Sequence, residues 1–153
     1  MRTAVSALSL LVAIGSGPAM ANCASDTVNP TYVLLNQSQV TTLLVGNTAC
    51  YPNGGPPWEN QEYLSGGTII DYRLGSNPQN PTGPVGAYTI NSDGSINYTY
   101  TSAPGFTYMV FGPNTAGTPG LYDFCNTTTQ TFLPHQVNVI LGGSVPCRSG
   151  AAG

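Results

Sequence analysis

From Gly94 onward the chain alternates. In "GSINYTYTSAPGFTYMVFG", Ile96, Tyr98 and Tyr100 fall on one side and Asn97, Thr99 and Thr101 on the other. That period of two predicts a half-buried β-strand, and the β-branched and aromatic residues that fill it suit a pleated surface. Just upstream, Tyr88-Thr89-Ile90 alternates in the same way. It is joined through Ser92-Asp93-Gly94-Ser95, and Asp-Gly is a strong short-range hairpin signal. Ser102-Ala103-Pro104-Gly105 then turns the chain into Phe106 to Phe111, so three consecutive antiparallel strands are predicted.

The same reading extends outward. Thr68 to Leu74, bounded by Gly66-Gly67 and Gly75, sets Ile70, Tyr72 and Leu74 against Ile69, Asp71 and Arg73, and predicts a further strand. Ser76 to Pro84, "SNPQNPTGP", is expected to be an irregular connection, because its prolines lack a backbone donor and fix φ. Leu121 to Cys125 and Val137 to Leu141 read as two short strands. In "TYVLLNQSQVTTLLVGNTACYP" the positions Val40, Leu43 and Leu44 have helical spacing, while Thr41-Thr42 and Val45 lean toward strand; composition favours strand. No strong helical periodicity is visible beyond residue 21. Seven or eight short strands separated by turn signals predict an all-β fold, an antiparallel meander closing as a small barrel or sandwich.

The first 21 residues do not belong to that pattern. Arg2, the apolar run Ala4 to Ile14, the break at Gly17-Pro18 and the small-x-small Ala19-Met20-Ala21 read as an export signal cleaved before Asn22. The run is too short to span a bilayer. A lipoprotein reading with Cys23 acylated is disfavoured because Asn22, not Gly or Ala, precedes it. Residues 22 to 153 are then read as one β domain, secreted or periplasmic.

Charge narrows the partners. Charged residues make up 6% of the chain and no lysine occurs, against about 25% in ordinary globular domains. Without Arg2, only Arg73 and Arg148 face six acidic side chains, so nucleic acid is excluded as a partner and attraction to anionic lipid is disfavoured. A surface of Asn, Thr, Ser, Gln and Gly has little charge repulsion, which leaves self-association through sheet edges open. The four cysteines, Cys23, Cys50, Cys125 and Cys147, predict two disulfides in an exported chain. Of three possible pairings, the local one, Cys23 with Cys50 and Cys125 with Cys147, is slightly preferred.

Candidate chemistry begins at "PPWENQEYLSGG", which holds the only tryptophan, Trp58, and the only two glutamates, Glu59 and Glu62. Paired carboxylates could divide acid and base roles in glycoside hydrolysis, but they must flank a bond about 5 to 9.5 Å apart. Residues three apart lie on one face of a helix or on opposite faces of a strand, so the reading preferred here leaves Glu59 and Glu62 in water. Trp58 remains a candidate stacking platform for a sugar, with Glu59 or Asn60 as hydrogen-bonding neighbours. His135 has no Gly-x-Ser-x-Gly elbow to work with and reads as a hydrogen-bonded or surface side chain. Asn91 to Asn97 could suggest calcium, but a hairpin turn explains it better; no metal or cofactor is expected. The sequons at Asn36, Asn97 and Asn126 are expected by chance in so Asn- and Thr-rich a chain. Tyr88, Tyr98, Tyr100 and Tyr108 lie on neighbouring predicted strands, where they either pack a core or line a ligand cavity.

"LLVGNTACYP", "WENQEYLSGGTIIDYRLG", "VGAYTI", "INYTY", "TYMV" and "YDFC" resemble a group of small exported bacterial proteins that carry no assigned activity. The resemblance spans about two thirds of the chain beyond residue 21 and implies no mechanism. "VGAYTI" followed by aromatic hairpins is also similar in style to the Gly-x-Trp opening of lipocalin-like and avidin-like barrels, with Tyr88 in place of the Trp and the motif in mid-chain. The leading expectation is non-covalent binding of a small molecule or glycan through Trp58, Glu59, Glu62 and the tyrosine face. The competing expectations are a self-assembling surface or matrix protein and a glycan-acting hydrolase.

Overall fold

The computed structural model describes residues 22–51, 60–73, 79–115, 117–134, 136–140 and 142–143. In chain order these form β1 (Val33–Leu34), α1 (Gln37–Leu44), β2 (Thr48–Tyr51), β3 (Asn60–Ser65), β4 (Thr68–Arg73) and β5 (Gln79–Ile90). There follow β6 (Ile96–Tyr100), β7 (Phe106–Gly112), β8 (Gly120–Asn126), β9 (Thr131–Phe132) and β10 (Val137–Ile140).

The strands form one antiparallel sheet. From β2 to β8 each strand pairs with the next in sequence, and β10 returns between β8 and β2. Because β7 also pairs with β8, through Tyr108 opposite Asn126 and Phe111 opposite Asp123, eight strands make a closed circuit among the described residues. The two-residue strands β1 and β9 extend it beside β7 and β8. Seven or eight antiparallel strands closing as a meander is the fold expected from the alternation, and of the two closures offered, this circuit is that of a barrel.

Inward positions follow the registers. Tyr88 is opposite Tyr98 and Ile90 opposite Ile96; Tyr98 is opposite Phe106 and Ile96 opposite Tyr108; Val110 is opposite Phe124. The buried core gathers Leu64, Ile69, Ile96, Val110, Tyr122 and Val139 within the barrel. Each such large apolar side chain contributes on the order of 1.5–3 kcal/mol on burial.

Three local expectations are corrected. The segment after Asn36 is helical: α1 carries a capping box, in which the Asn36 side chain accepts from the Gln39 amide while the Gln39 side chain accepts from the Asn36 amide. Satisfying two orphan amides at once outweighs the strand preference of Thr41-Thr42, and Val40, Leu43 and Leu44 are all buried. The proline-rich stretch is not wholly irregular either, since β5 starts at Gln79. Its pairing with β4 shifts register between Ile69 and Ile70 and again between Asp71 and Arg73, and such bulges accommodate prolines that cannot donate to a regular ladder. Ser76 to Pro78 and Leu74 lie outside the described residues. Finally, Asn60–Ser65, which is not among the strands read from the alternation, is a full strand paired with β2 on one side and β4 on the other.

Helix α1 closes one end of the barrel. Leu35 donates its amide to the Val110 carbonyl, Gly46 to the Leu64 carbonyl, and the Gln37 side chain to the Ile90 carbonyl. These anchors lie where β3 runs into its Gly66-Gly67 turn and β5 into the Asp93-Gly94 turn. The opposite end is where β2 meets β3 at Tyr51 and Asn60 and where Ser102 and Ala103 join β6 to β7.

A second, smaller core lies outside the barrel wall, on β7 and β8. Phe111 and Cys125 are buried there with Cys23, and Tyr32, Met109 and Phe132 pack against them. A disulfide joins Cys23 to Cys125, so the local pairing expected from spacing is corrected: closure of the circuit brings β8 beside the N-terminal segment. Cys50 is also disulfide-bonded; Cys147 lies outside the described residues.

Candidate functional site

The end of the barrel away from α1 is hollow. A cavity of about 340 Å³ opens there. Eight-stranded barrels have interiors just wide enough to be filled by side chains or to hold one small ligand. This one does both: apolar side chains and α1 fill one half, and the other half is left open.

One wall is aromatic. Alternation on β6 turns Tyr98 and Tyr100 inward, and alternation on β7 does the same for Phe106 and Tyr108. The rings of Tyr98 and Tyr100 are near parallel with centroids 6.3 Å apart, and Tyr108 meets Tyr98 edge-on at 6.1 Å. Phe106 lies 6.3 Å from Tyr100 and 6.2 Å from Tyr108, which closes a quartet. Phe124 on β8 continues the surface, 5.9 Å from Tyr108. Such pairs add about 0.5–1.5 kcal/mol each beyond area burial, so the wall is a preorganised surface.

The facing wall carries the polar pole. Glu62 on β3 lines the cavity together with Ala49 and Tyr51 of β2. In the circuit β3 is three strands from β6 in one direction and four from β7 in the other, so its side chain reaches across the lumen. There the Tyr100 hydroxyl donates a hydrogen bond to the Glu62 carboxylate. Val85, Val137 and Leu133 complete the apolar lining, and Ser102 and Ala103 form the rim.

Electrostatics follow from burial. Tyr98 is 3% exposed, and burial, reinforced by the Glu62 charge, pushes its hydroxyl well above the ordinary phenol range. Tyr100 is shifted upward for the same two reasons, with the hydrogen bond to Glu62 adding to them. Burial also raises Tyr108, opposed by a hydrogen bond to Asn126, and raises Tyr51. These phenols therefore stay neutral under physiological conditions, acting as hydrogen-bonding groups and ring faces rather than as bases or nucleophiles.

Of the residues singled out in the sequence, the fold brings Glu62, Tyr98, Tyr100 and Tyr108 together at the cavity. Glu62 is half-buried, so the expectation that it remains in water is corrected: the pairing of Glu62 with Ala49 on one side and Asp71 on the other places it in mid-sheet. Tyr88 is also half-buried, packed against the main core. Trp58, Glu59 and His135 lie outside the described residues. The turn at Asn91 to Ser95 is held by its own side chains, with Asp93 accepting from both the amide and the hydroxyl of Ser95; those bonds lower the Asp93 pKa, and they account for the oxygens that resemble a calcium loop. Among the described residues no group of three or more potential metal ligands occurs.

Sequence reasoning passed over Tyr51, Phe106 and Phe124. The signal for Phe106 was present, since it shares the parity of Tyr108 and Val110 on one strand. Phe124 is recognisable as inward only once β8 is known to pair with β7, and Tyr51 only once β2 is known to lie across the lumen.

No known protein family, curated protein or solved structure matches this chain.

Proposed function

We propose that the protein is exported and binds a small molecule non-covalently inside the open half of its barrel. The observation that carries this reading is the aromatic cavity of about 340 Å³ with Glu62 at its polar pole. Ligand sites are concave, predominantly apolar, about 300–1,000 Å³ in volume, and fixed by a few placed polar groups. A fold selected for stability alone would fill this volume, because unfilled space forfeits packing energy.

Closure of the circuit weighs on the competing readings. Barrels remove the free edges on which strand-to-strand polymerisation depends, and the described extensions, β1 and β9, are two residues each. A glycosidase needs two carboxylates across a bond, whereas Glu62 is the single carboxylate among the described lining residues. Export is supported by the Cys23–Cys125 disulfide, a bond that persists in oxidising compartments, and by the leader-like first 21 residues.

The test is a thermal-unfolding screen of small amphipathic compounds against the mature, oxidised protein. A true ligand stabilises by about 2.7 kcal/mol at one hundred times its Kd. Ala103→Trp, which places an indole at the rim, is expected to abolish that stabilisation while leaving the unliganded transition in place. A hit that binds Ala103→Trp unchanged would place binding elsewhere and end the cavity reading.

A further inference from the structure

We infer that Asp26 and Asp123 hold one proton between them as a carboxyl–carboxylate pair, and that this proton latches the N-terminal segment to the outer wall of the barrel. The latch lies on the face of β8 that points away from the cavity, so it stands independently of the small-molecule reading.

The first argument is where the two acids sit. Asp123 on β8 is opposite Phe111 of the outer core and shares an outward face with Cys125, while Phe124 between them lines the cavity. Asp26 belongs to the segment that runs from Cys23, bonded to Cys125, to β1, where Val33 is opposite Gly112. That segment is fixed at both ends, and Asp26 and Asn29 attach its middle. Asn29 ties the two acids together: its backbone amide donates to Asp26 Oδ1 at 2.9 Å and its side-chain amide to Asp123 Oδ2 at 2.8 Å.

The second argument is a count of donors. Asp26 is 8% exposed and Asp123 3%. Asp26 Oδ1 accepts from the Val28 and Asn29 amides, while Oδ2 is buried without a hydrogen-bond partner. The Asp123 carboxyl lies within hydrogen-bonding reach of the Asp26 side chain, yet an ionised carboxylate can only accept. Two carboxylates meeting out of water repel and leave that oxygen orphaned; one proton turns the same contact into a charge-assisted O–H···O bond.

No neighbour supplies a substitute for the proton. The side-chain amides of Asn29 and Gln136 both donate to Asp123 Oδ2, not to Asp26. The Tyr32 hydroxyl donates to the Leu121 carbonyl and that of Tyr122 to the Thr118 carbonyl, β7 presents Phe111 beside Asp123, and among the described residues no cationic side chain acts on Asp123. Burial, followed by the Asp26 charge, raises the Asp123 carboxyl against the Asn29 amide that lowers it. A proton held more tightly in the folded state gives a latch that is complete below about pH 4 and is lost as pH rises through the folded value. The segment then opens in its middle, between ends that the disulfide and β1 keep in place.

Carbon-13 NMR titration of the two carboxyls in the mature oxidised protein, with hydrogen exchange of the Val28 and Asn29 amides followed over the same range, tests the inference. The pair is expected to release a proton above the ordinary aspartate value of about 3.9, and the protection of both amides to fall by at least about tenfold as it leaves. Asp123→Asn, whose carboxamide can donate to Asp26 Oδ2 while accepting from Asn29, is expected to keep that protection and make it independent of pH. Asp26→Asn is expected to do the same, and it serves if Asp123→Asn fails to fold. Both carboxyls titrating at or below about 3.9 overturns the inference, as does protection unchanged through the titration or a pH dependence that persists in both variants. Protection restored at neutral pH by calcium chloride also overturns it, because the two carboxylates would then be holding a cation in place of a proton.

Discussion

Individual residues carry the electrostatic strain of this protein, and two groups make that measurable. Tyr98 is buried with its phenol pKa raised above the usual 10.0, so the folded state holds its proton more tightly than the unfolded chain does. The associated stability is complete below about pH 10 and is lost as the pH rises above it, at up to about 1.4 kcal/mol per pH unit per such group. Titration of phenolate absorbance alongside urea unfolding is expected to show ionisation of the cavity tyrosines coinciding with alkaline unfolding. Phenols that titrate near pH 10 in the folded protein would contradict their burial. The second group is Asp26 with Asp123. Asp26 accepts from the amides of Val28 and Asn29 through Oδ1, while its Oδ2 is buried without a hydrogen-bond partner. Burial raises the Asp123 carboxyl, the Asn29 amide opposes that shift, and the neighbouring Asp26 adds to it. A raised carboxyl contributes stability below its unfolded pKa and loses it as pH rises through the folded value. Asp26→Asn keeps the turn and gives the orphaned position a donor, so it is expected to raise stability at pH 7 by about 1 kcal/mol and to lessen the loss of stability that the raised Asp123 carboxyl causes as pH rises above about 4. Urea titrations at both pH values check this. Neither group was visible in the sequence, because a residue's solvation depends on what covers it.

The elements differ in how much of them local chemistry specifies. The Asp93-Gly94 hairpin is legible from two residues, yet the structure adds a tertiary constraint. Gly94 has φ +85°, and a Cβ there would lie 2.2 Å from the Leu35 carbonyl oxygen, so the turn is packed against the lead-in to α1. Gly94→Ala is expected to destabilise by about 1–3 kcal/mol, through both backbone strain and the clash. Helix α1 shows the reverse case. Its spacing of Val40, Leu43 and Leu44 was visible, and the Asn36-x-x-Gln39 cap was available as a signal, but β-branched composition pointed to strand. Asn36→Ala is expected to cost about 1 kcal/mol and Leu43→Ala about 2–5 kcal/mol, since Leu43 is fully buried where the helix closes the barrel. If Leu43→Ala proved the milder of the two in chemical denaturation, the helix would not be plugging a packed interior. The prolines of β5 misled for a similar reason. Propensity rules describe a regular ladder, and the β4–β5 pairing is interrupted where proline needs it to be.

At the scale of the whole molecule, ring closure and the staple act together. The Cys23–Cys125 bond spans 102 residues and pins the N-terminal segment over the outer core of Phe111 and Phe132. Replacing both cysteines by serine is expected to cost about 2–4 kcal/mol, chiefly by enlarging the unfolded ensemble, and thermal unfolding of that variant beside the oxidised parent measures it. A change of less than about 1 kcal/mol would mean that the outer packing alone holds this segment. The alternation of β6 and β7, the turns between them, the all-β class, the scarcity of charge and the aromatic face formed by Tyr98, Tyr100 and Tyr108 were legible along the chain, because period and turn chemistry are local properties. That β8 returns beside β7, that Cys23 meets Cys125, and that Glu62 looks across a lumen at those tyrosines emerged with the fold alone. Each of these depends on which distant strands become neighbours, and that is set by closure of the whole sheet around a volume it only half fills.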